Sequence, residues 1–254
     1  MPEIEFTGTG AAAQVPVWGC RCTICLRAAS IASYRRRPAG LAITGEQGVT
    51  LIDAGSHHLA ERYSPEQLQR VVLTHFHMDH VQALFQLRWA GGRHKIPLFR
   101  PDDPVGCDDL YKHPGIFSLQ KPFQPFQQVE WPGLRLTALP LQHSRVTLGY
   151  LLQTPGTVLA YLCDTAGLPR ETERFLAESP IDYLVLDCSE PPTRRPPSNH
   201  NDLNRALAIV RRLRPEQTLL THIGHHFDNW LLEHTRQLPA DVSIARDGMR
   251  IPCP

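Results

Sequence analysis

The chain of 254 residues is 42% hydrophobic and 20% charged, with a formal net charge of +1 at pH 7, which fits a folded protein with one large core or two small ones. That charge gives no footprint for a broad nucleic-acid surface or an acidic tail, and no apolar run approaches the length needed to span a bilayer. The opening MPEIEFTGTG lacks the basic and apolar regions of a secretory signal, so a cytoplasmic location is expected.

In chain order, the first β-type run is IEFTGTG, followed by three cysteines within six residues, Cys20, Cys22 and Cys25. The cysteine total is seven, an odd number, and in a reducing compartment this clustering favours metal or free thiols over a disulfide framework. A second run, VTLIDAG, precedes SPEQLQR, where Ser64 as N-cap and Pro65 at the first helical position predict a helix. Next comes VVLTHFHMDH, an apolar run ending in three histidines and an aspartate, and VQALFQLRW with a helical pattern. Further runs are LRLTALPL, TVLAYLCDTAG, YLVLDCS and QTLLTHIG. The stretch PPTRRPPSNH reads as a long exposed loop, and LNRALAIVRRL has Leu203, Ala206, Leu207 and Val210 at helical spacing. Strands mixed with helices predict an α/β or α+β layered fold. No repeat or composition shift marks a boundary, so residues 1–254 are read as a single domain with a cysteine loop at about 19–26.

One regularity recurs. Several apolar runs end in a coordinating side chain: Asp53, the His75–His80 cluster, His143, Asp164 and His222. Such runs are consistent with buried strands, and polar residues where strands meet loops can converge on one rim. His75 and His77 alternate and can face one side of an extended segment. Asp79 and His80 lie past a turn and can face a neighbouring ion, with His143, Asp164 and His222 available to complete two sites. Asp164 is the natural bridge, because a carboxylate has two oxygens. A single ion is the competing count. The cysteine cluster offers three thiolates and lacks a local fourth ligand for structural zinc.

THFHMDH resembles the H-x-H-x-D-H signature of the metallo-β-lactamase superfamily. With GTGAAAQVPVWGCRCTIC, LQHSRVTLGYLL, LCDTAGLP, SNHNDLN and LTHIGHHFDNW, the chain from about Phe6 to Met249 is similar to the phosphoribosyl cyclic phosphodiesterases of the carbon–phosphorus lyase pathway. The resemblance implies an αββα sandwich with metals at the edge where strands end. It assigns His75, His77 and His143 to one ion, Asp79, His80 and His222 to the other, and Asp164 between them. It implies two Mn²⁺ ions, with Zn²⁺, Ni²⁺ or Fe²⁺ as substitutes, since mixed imidazole and carboxylate ligands do not decide. It gives His225 as fourth ligand of a structural Zn²⁺ on Cys20, Cys22 and Cys25, with the adjacent His226 as a substitute. Asp53 takes an orienting role behind the ligands or is a plain turn residue. His200 matches the position of the general acid, Asp79 belongs to the catalytic group, and Asp202 is the candidate partner that orients His200. Asn201 stands where relatives carry cysteine and is not expected to matter.

The implied activity is a phosphodiesterase that hydrolyses 5-phosphoribosyl 1,2-cyclic phosphate to ribose 1,5-bisphosphate in phosphonate catabolism. Arg35, Arg36, Arg37 and Arg145 are candidates for the substrate's second phosphate. The implied partner is a small phosphorylated sugar, with no nucleic acid and no membrane, and a homodimer follows the family. Alternatives are a phosphodiesterase of 2′,3′-cyclic nucleotides, a nuclease of the tRNA 3′-processing type, and a non-catalytic metal-binding interaction protein.

Overall fold

A computed structural model describes residues 2–92, 94–234 and 237–253; Met1 and Pro254, the ends of the single-domain reading, lie outside the described residues. The strands β1 (Glu3–Gly8), β2 (Gly40–Gly45), β3 (Gly48–Ile52), β4 (Leu68–Val72), β5 (Ile96–Phe99) and β6 (Phe117–Leu119) build a first sheet. A second sheet holds β7 (Gln128–Trp131), β8 (Leu134–Pro140), β9 (Leu148–Gln153), β10 (Val158–Leu162), β11 (Tyr183–Asp187), β12 (Gln217–Thr221) and β13 (Val242–Ile244). The last strand, β14 (Arg250–Pro252), returns to pair antiparallel with β1, Glu3 opposite Pro252.

Period-two alternation explains why these runs read as apolar throughout. Ile52, Val72, Tyr161, Val185 and Leu219 point into the core between the sheets. The first helix, α1 (Thr23–Ser30), carries Cys25 of the cysteine cluster. Leu51 and Val71, neighbours of Ile52 and Val72, face outward onto helices α2 (Leu59–Arg62), α3 (Met78–Val81), α4 (Leu84–Leu87) and α5 (Asp108–Lys112). Leu162, Leu184, Leu186 and Leu220 face α6 (Arg170–Ala177), α7 (Leu203–Leu213) and α8 (His225–His234) on the other side. Both faces of each sheet are thus covered, which removes the polar half of the usual alternation. The result is the αββα sandwich.

Two local expectations differ. SPEQLQR is not a helix: a single 3₁₀ turn spans Pro65–Gln67, closed by Ser64 N–H donating to Gln67 Oε1 at 2.8 Å, and Leu68 then enters β4. Pairing of Leu68–Val72 with β3 outweighs the helix-start signal. Asp202, expected to orient His200, instead caps α7 by accepting from Arg205 N–H at 3.0 Å. The α7 face follows as Leu203, Ala206, Ile209, Val210 and Leu213, all buried.

Candidate metal centre

The site forms where strands stop. β3 and β4 are parallel, as are β10, β11 and β12, so their carboxyl ends share one edge of each sheet. Asp53 follows β3, His75 and His77 follow β4, His143 follows β8, Asp164 follows β10, Asp187 ends β11 and His222 follows β12. Asp53, Asp164 and His222 have left-handed backbones, with φ of 63°, 63° and 57°. This sharp corner is what lets the chain leave the strand and turn the side chain to the edge, a conformation that costs of order 1–3 kcal/mol for a residue with a Cβ. Gly55 serves the same edge: a Cβ there would sit 1.6 Å from the Asp79 carbonyl oxygen, so only glycine lets α3 approach.

The side chains converge as two sets that share one carboxylate. His75, His77, His143 and Asp164 form one, and Asp79, His80, Asp164 and His222 the other, with ligand atoms within 4.8 Å of one another in each set. His77 Nδ1 lies 3.0 Å from His75 Nε2 and 3.0 Å from His143 Nε2. Asp164 Oδ2 is 3.5 Å from both His75 Nε2 and His80 Nε2, and its Oδ1 is 3.3 Å from His222 Nε2. Asp79 Oδ2 lies 3.3 Å from His80 Nε2 and 3.5 Å from His222 Nε2.

The far side of every ring except that of His77 is pinned. Asp53 Oδ2 accepts from His80 Nδ1–H at 2.7 Å and from the Thr74 hydroxyl at 2.8 Å, and that hydroxyl accepts from His75 Nδ1–H at 3.0 Å. His143 Nδ1–H donates to the Asn199 carbonyl at 2.9 Å. His222 Nδ1–H donates to Ser189 Oγ at 2.9 Å, which in turn donates to Asp187 Oδ1 at 3.0 Å. These bonds fix the tautomers so that the Nε2 lone pairs of His75, His80, His143 and His222 face the centre. Asp53 therefore holds ligands from behind rather than merely closing a turn.

The donor set suits a divalent cation. Burial, reinforced by the neighbouring His80, holds His75 well below the ordinary imidazole range, and burial also lowers His77 and His143; neutral rings have lone pairs to give. His80 goes the other way, since Asp164 and Asp53 outweigh its burial and raise it well above that range, so a cation bound there would displace the Nε2 proton. Burial works against the Asp164 carboxylate, yet His222 and His80 outweigh it and hold it well below its usual range. His80 Nε2 is buried with no hydrogen-bond partner among the described residues, an orphan that a metal ligand explains.

His200 lies at the rim, its ring 4.8 Å from that of His222 and 5.1 Å from that of His143. Its Nδ1–H donates to Asp187 Oδ2 at 2.9 Å. Burial pulls this imidazolium down, but the hydrogen bond and charge of Asp187 prevail and push it up to about 9. Asp187, not Asp202, is thus its partner. The signal for Asp187 was in the sequence, since Tyr183–Leu186 is one more apolar run ending in a carboxylate. Asn201 matters after all: fully buried, it donates from Nδ2 to the Asp187 carbonyl at 3.1 Å and accepts from Gly167 N–H at 2.8 Å.

The cysteine knuckle gathers separately. Cys20, Cys22 and Cys25 place Sγ 3.5, 3.7 and 3.7 Å from His225 Nδ1. Thiolates and an imidazole at ordinary zinc distances in a tetrahedron are separated by about 3.6 Å. His225 begins α8, three residues past His222, and His226 is not in the group.

The candidate phosphate contacts are otherwise engaged. Arg36 is buried, donating to both Asp228 oxygens at 2.6 and 2.8 Å, to Thr9 and to the Ala245 carbonyl. A guanidinium with all its directions filled is a strut, so the expectation that Arg36 meets a phosphate is corrected. Arg35 donates to the Ala28 and Ala29 carbonyls. Arg37 pairs with Asp247 at 3.5 Å, and Arg145 with Asp103 at 2.7 Å.

Residues 50–223 match the β-lactamase superfamily domain, and the strand-edge histidines and aspartates lie within or beside that span. The chain belongs to the metallo-β-lactamase superfamily. Superfamily neighbours of the same fold include a diphosphatase from the PhnP family, with a TM-score of 0.80 and 24% identity over 99% of this chain and 98% of that one. Zn²⁺-bound PqqB from Methylobacterium extorquens gives 0.78 and 18% over 98% and 99%. Human tRNase Z, short form, gives 0.69 and 16% over 99% of each. An octanoyltransferase of Porphyromonas gingivalis is 25% identical over 95% of this chain, which spans 50% of that relative's length. As in other members of this metallo-hydrolase superfamily, the fold binds divalent metal. No helix among the described residues is long and apolar enough to cross a membrane.

Proposed function

We propose that the protein is a metal-dependent phosphodiesterase that opens 5-phosphoribosyl 1,2-cyclic phosphate to ribose 1,5-bisphosphate during phosphonate breakdown. One observation carries the reading: a single carboxylate, Asp164, is shared by two complete ligand sets, with a carboxylate-held histidine, His200, at their rim. The fold likeness to a diphosphatase of the PhnP family lends support.

His75, His77, His143 and Asp164 would hold one divalent ion, and Asp79, His80, His222 and Asp164 the other; manganese is our assignment for both, and zinc for Cys20, Cys22, Cys25 and His225. Bound there, two ions supply a lowered pKa for water and neutralise phosphoryl oxygens. The rest falls to the chain. Water adds to phosphorus, the bond from phosphorus to the ribose 2-oxygen breaks, and that oxygen needs a proton to leave. His200 donates it from Nε2, because Nδ1 is occupied by Asp187. A group pushed up to about 9 carries its proton at neutral pH. Asp187 keeps the ring oriented and stabilises its charged form. Asp79 stays ionised, since His222 and His80 outweigh the effect of its burial, and offers an acceptor oxygen beside the reacting centre.

The test is competition among substrates at equal enzyme and metal. Phosphoribosyl cyclic phosphate should be turned over more efficiently than 2′,3′-cyclic AMP, and pre-tRNA least. If pre-tRNA is cut at least as efficiently as the sugar phosphate, the nuclease reading replaces this one. If no phosphodiester is cut by protein carrying its full metal complement, the chain is a metal-binding interaction protein.

A further inference from the structure

A substrate with two phosphates presents a second dianion away from the reacting one, and a dianion held against protein calls for guanidinium or ammonium groups. None of the four arginines expected to meet it is free, as Asp228, Asp247, Asp103 and two main-chain carbonyls engage them. The loop that delivers His200 offers another pair. Between β11 and α7 the chain runs Pro191-Pro192-Thr193-Arg194-Arg195-Pro196-Pro197, and Arg194 and Arg195 are both exposed. Neither guanidinium makes a hydrogen bond or ion pair among the described residues.

This loop has no regular structure, yet it is tied down on both sides of the pair. Thr193 donates from N–H and Oγ1 to Asp202 Oδ2 at 2.9 and 3.0 Å. Arg205 Nη1 donates to the carbonyls of Pro197 and His200 at 2.9 and 3.0 Å. Farther along, the Asn199 carbonyl holds His143 and the His200 ring is held by Asp187. Only residues 194–196 lie between the Thr193 and Pro197 anchors, and Pro196 restricts that tip further. The span from Arg195 to His200 is five residues, at most about 18 Å of chain even if fully extended. Two adjacent like charges on a rigid tip repel each other and gain most from an anion shared between them, with little ordering cost on binding.

We infer that Arg194 and Arg195 form the subsite for the second phosphate of the substrate, a phosphate monoester dianion, so that the loop carrying the proton donor also reads the substrate's far end. This rests on the phosphodiesterase reading above. It moves the specificity residues from the segment 35–37 to the 191–200 loop.

The experiment uses the full chain carrying its metals and two substrates, ribose 1,2-cyclic phosphate with and without the 5-phosphate, with bis(p-nitrophenyl) phosphate as a third. Arg194→Ala/Arg195→Ala should raise KM for the 5-phosphorylated substrate by tenfold or more, about the loss expected when a charge-assisted contact is removed. KM for the substrate lacking that phosphate should change less than twofold, and Lys at both positions should recover part of the loss. An unchanged KM for the phosphorylated substrate, or equal changes for both, overturns the subsite. Binding of ribose 5-phosphate measured by calorimetry tests the pair without any turnover. If bis(p-nitrophenyl) phosphate and both cyclic substrates resist hydrolysis, the phosphodiesterase reading fails on its own. The subsite then stands or falls on whether the double variant weakens ribose 5-phosphate binding by the same tenfold.

Discussion

The knuckle draws three of its four donors from six consecutive residues, and its only distant member is His225. The strand-edge cluster draws seven ligands from the ends of four strands and the first turn of α3. The spacings differ as well. The sulfur–nitrogen separations of 3.5–3.7 Å in the knuckle fit a closed tetrahedron. The strand-edge cluster is less even, with 3.0 Å nitrogen–nitrogen edges at His77 and 3.3–3.6 Å edges to Asp79 and Asp164. Every ring in the strand-edge cluster except His77 is also pinned from behind by hydroxyl, carbonyl or carboxylate. A local set of three thiolates and one imidazole needs little support and, with four ligands in place, leaves no position open for chemistry. A dispersed set has to be held by the whole sandwich, and it keeps directions open for substrate.

Four measurements bear on that contrast. The largest effect is expected from Asp164→Asn, the one residue common to both halves: activity should fall about a thousandfold or more, and elemental analysis should show both strand-edge ions depleted while zinc in the knuckle stays. Retention of either ion at full occupancy would separate the halves. Next comes His200→Ala, which should cost about a hundredfold on alkyl diesters and less than tenfold on nitrophenyl diesters, whose leaving groups need little protonation. Metal content should not move, and equal losses on both diesters would remove His200 from proton delivery. Asp187→Asn should cost about tenfold to a hundredfold in turnover, because it loosens His200 directly and His222 through Ser189. A loss below twofold would make Asp187 a bystander. The smallest effect on chemistry is expected from Cys22→Ser. It should lower the melting temperature by on the order of 10 °C while the folded fraction turns over within a few-fold of the parent, since structural zinc contributes to folding free energy. Unchanged stability with lost turnover would instead make the knuckle part of the reaction.

Most ligands were legible because they closely follow a buried apolar run, a pattern of order along the chain that survives folding, and Asp79 and His80 because they stand beside His75 and His77 in one short motif. The supports were less so. Asn199 acts through its carbonyl, which no residue type announces, and Thr74 and Ser189 are ordinary hydroxyls until the corners bring them behind a ring. Asp187 carried the same signal as Asp164 and was passed over. β2, β5, β6, β7, β9, β13 and β14 were not legible as strands, and five of them are only three or four residues long. SPEQLQR misled because a helix start was read without the competing register against β3. In the basic run 35–37 only Arg36 is buried, Arg37 being half-buried and Arg35 exposed, and Asp228 and Asp247, some two hundred residues later, are what neutralise Arg36 and Arg37.

The left-handed corners at Asp53, Asp164 and His222 set durability against catalysis. Glycine adopts that backbone without steric cost, so glycine in place of Asp53 relieves the corner, but it also leaves the buried Thr74 and His80 donors without their acceptor, a loss of similar or larger size. Some of that relief is offset by the chain freedom glycine brings to the unfolded state. Asp53, Asp164 and His222 together, in backbones that most side chains avoid, are outliers of the kind that cluster at functional sites.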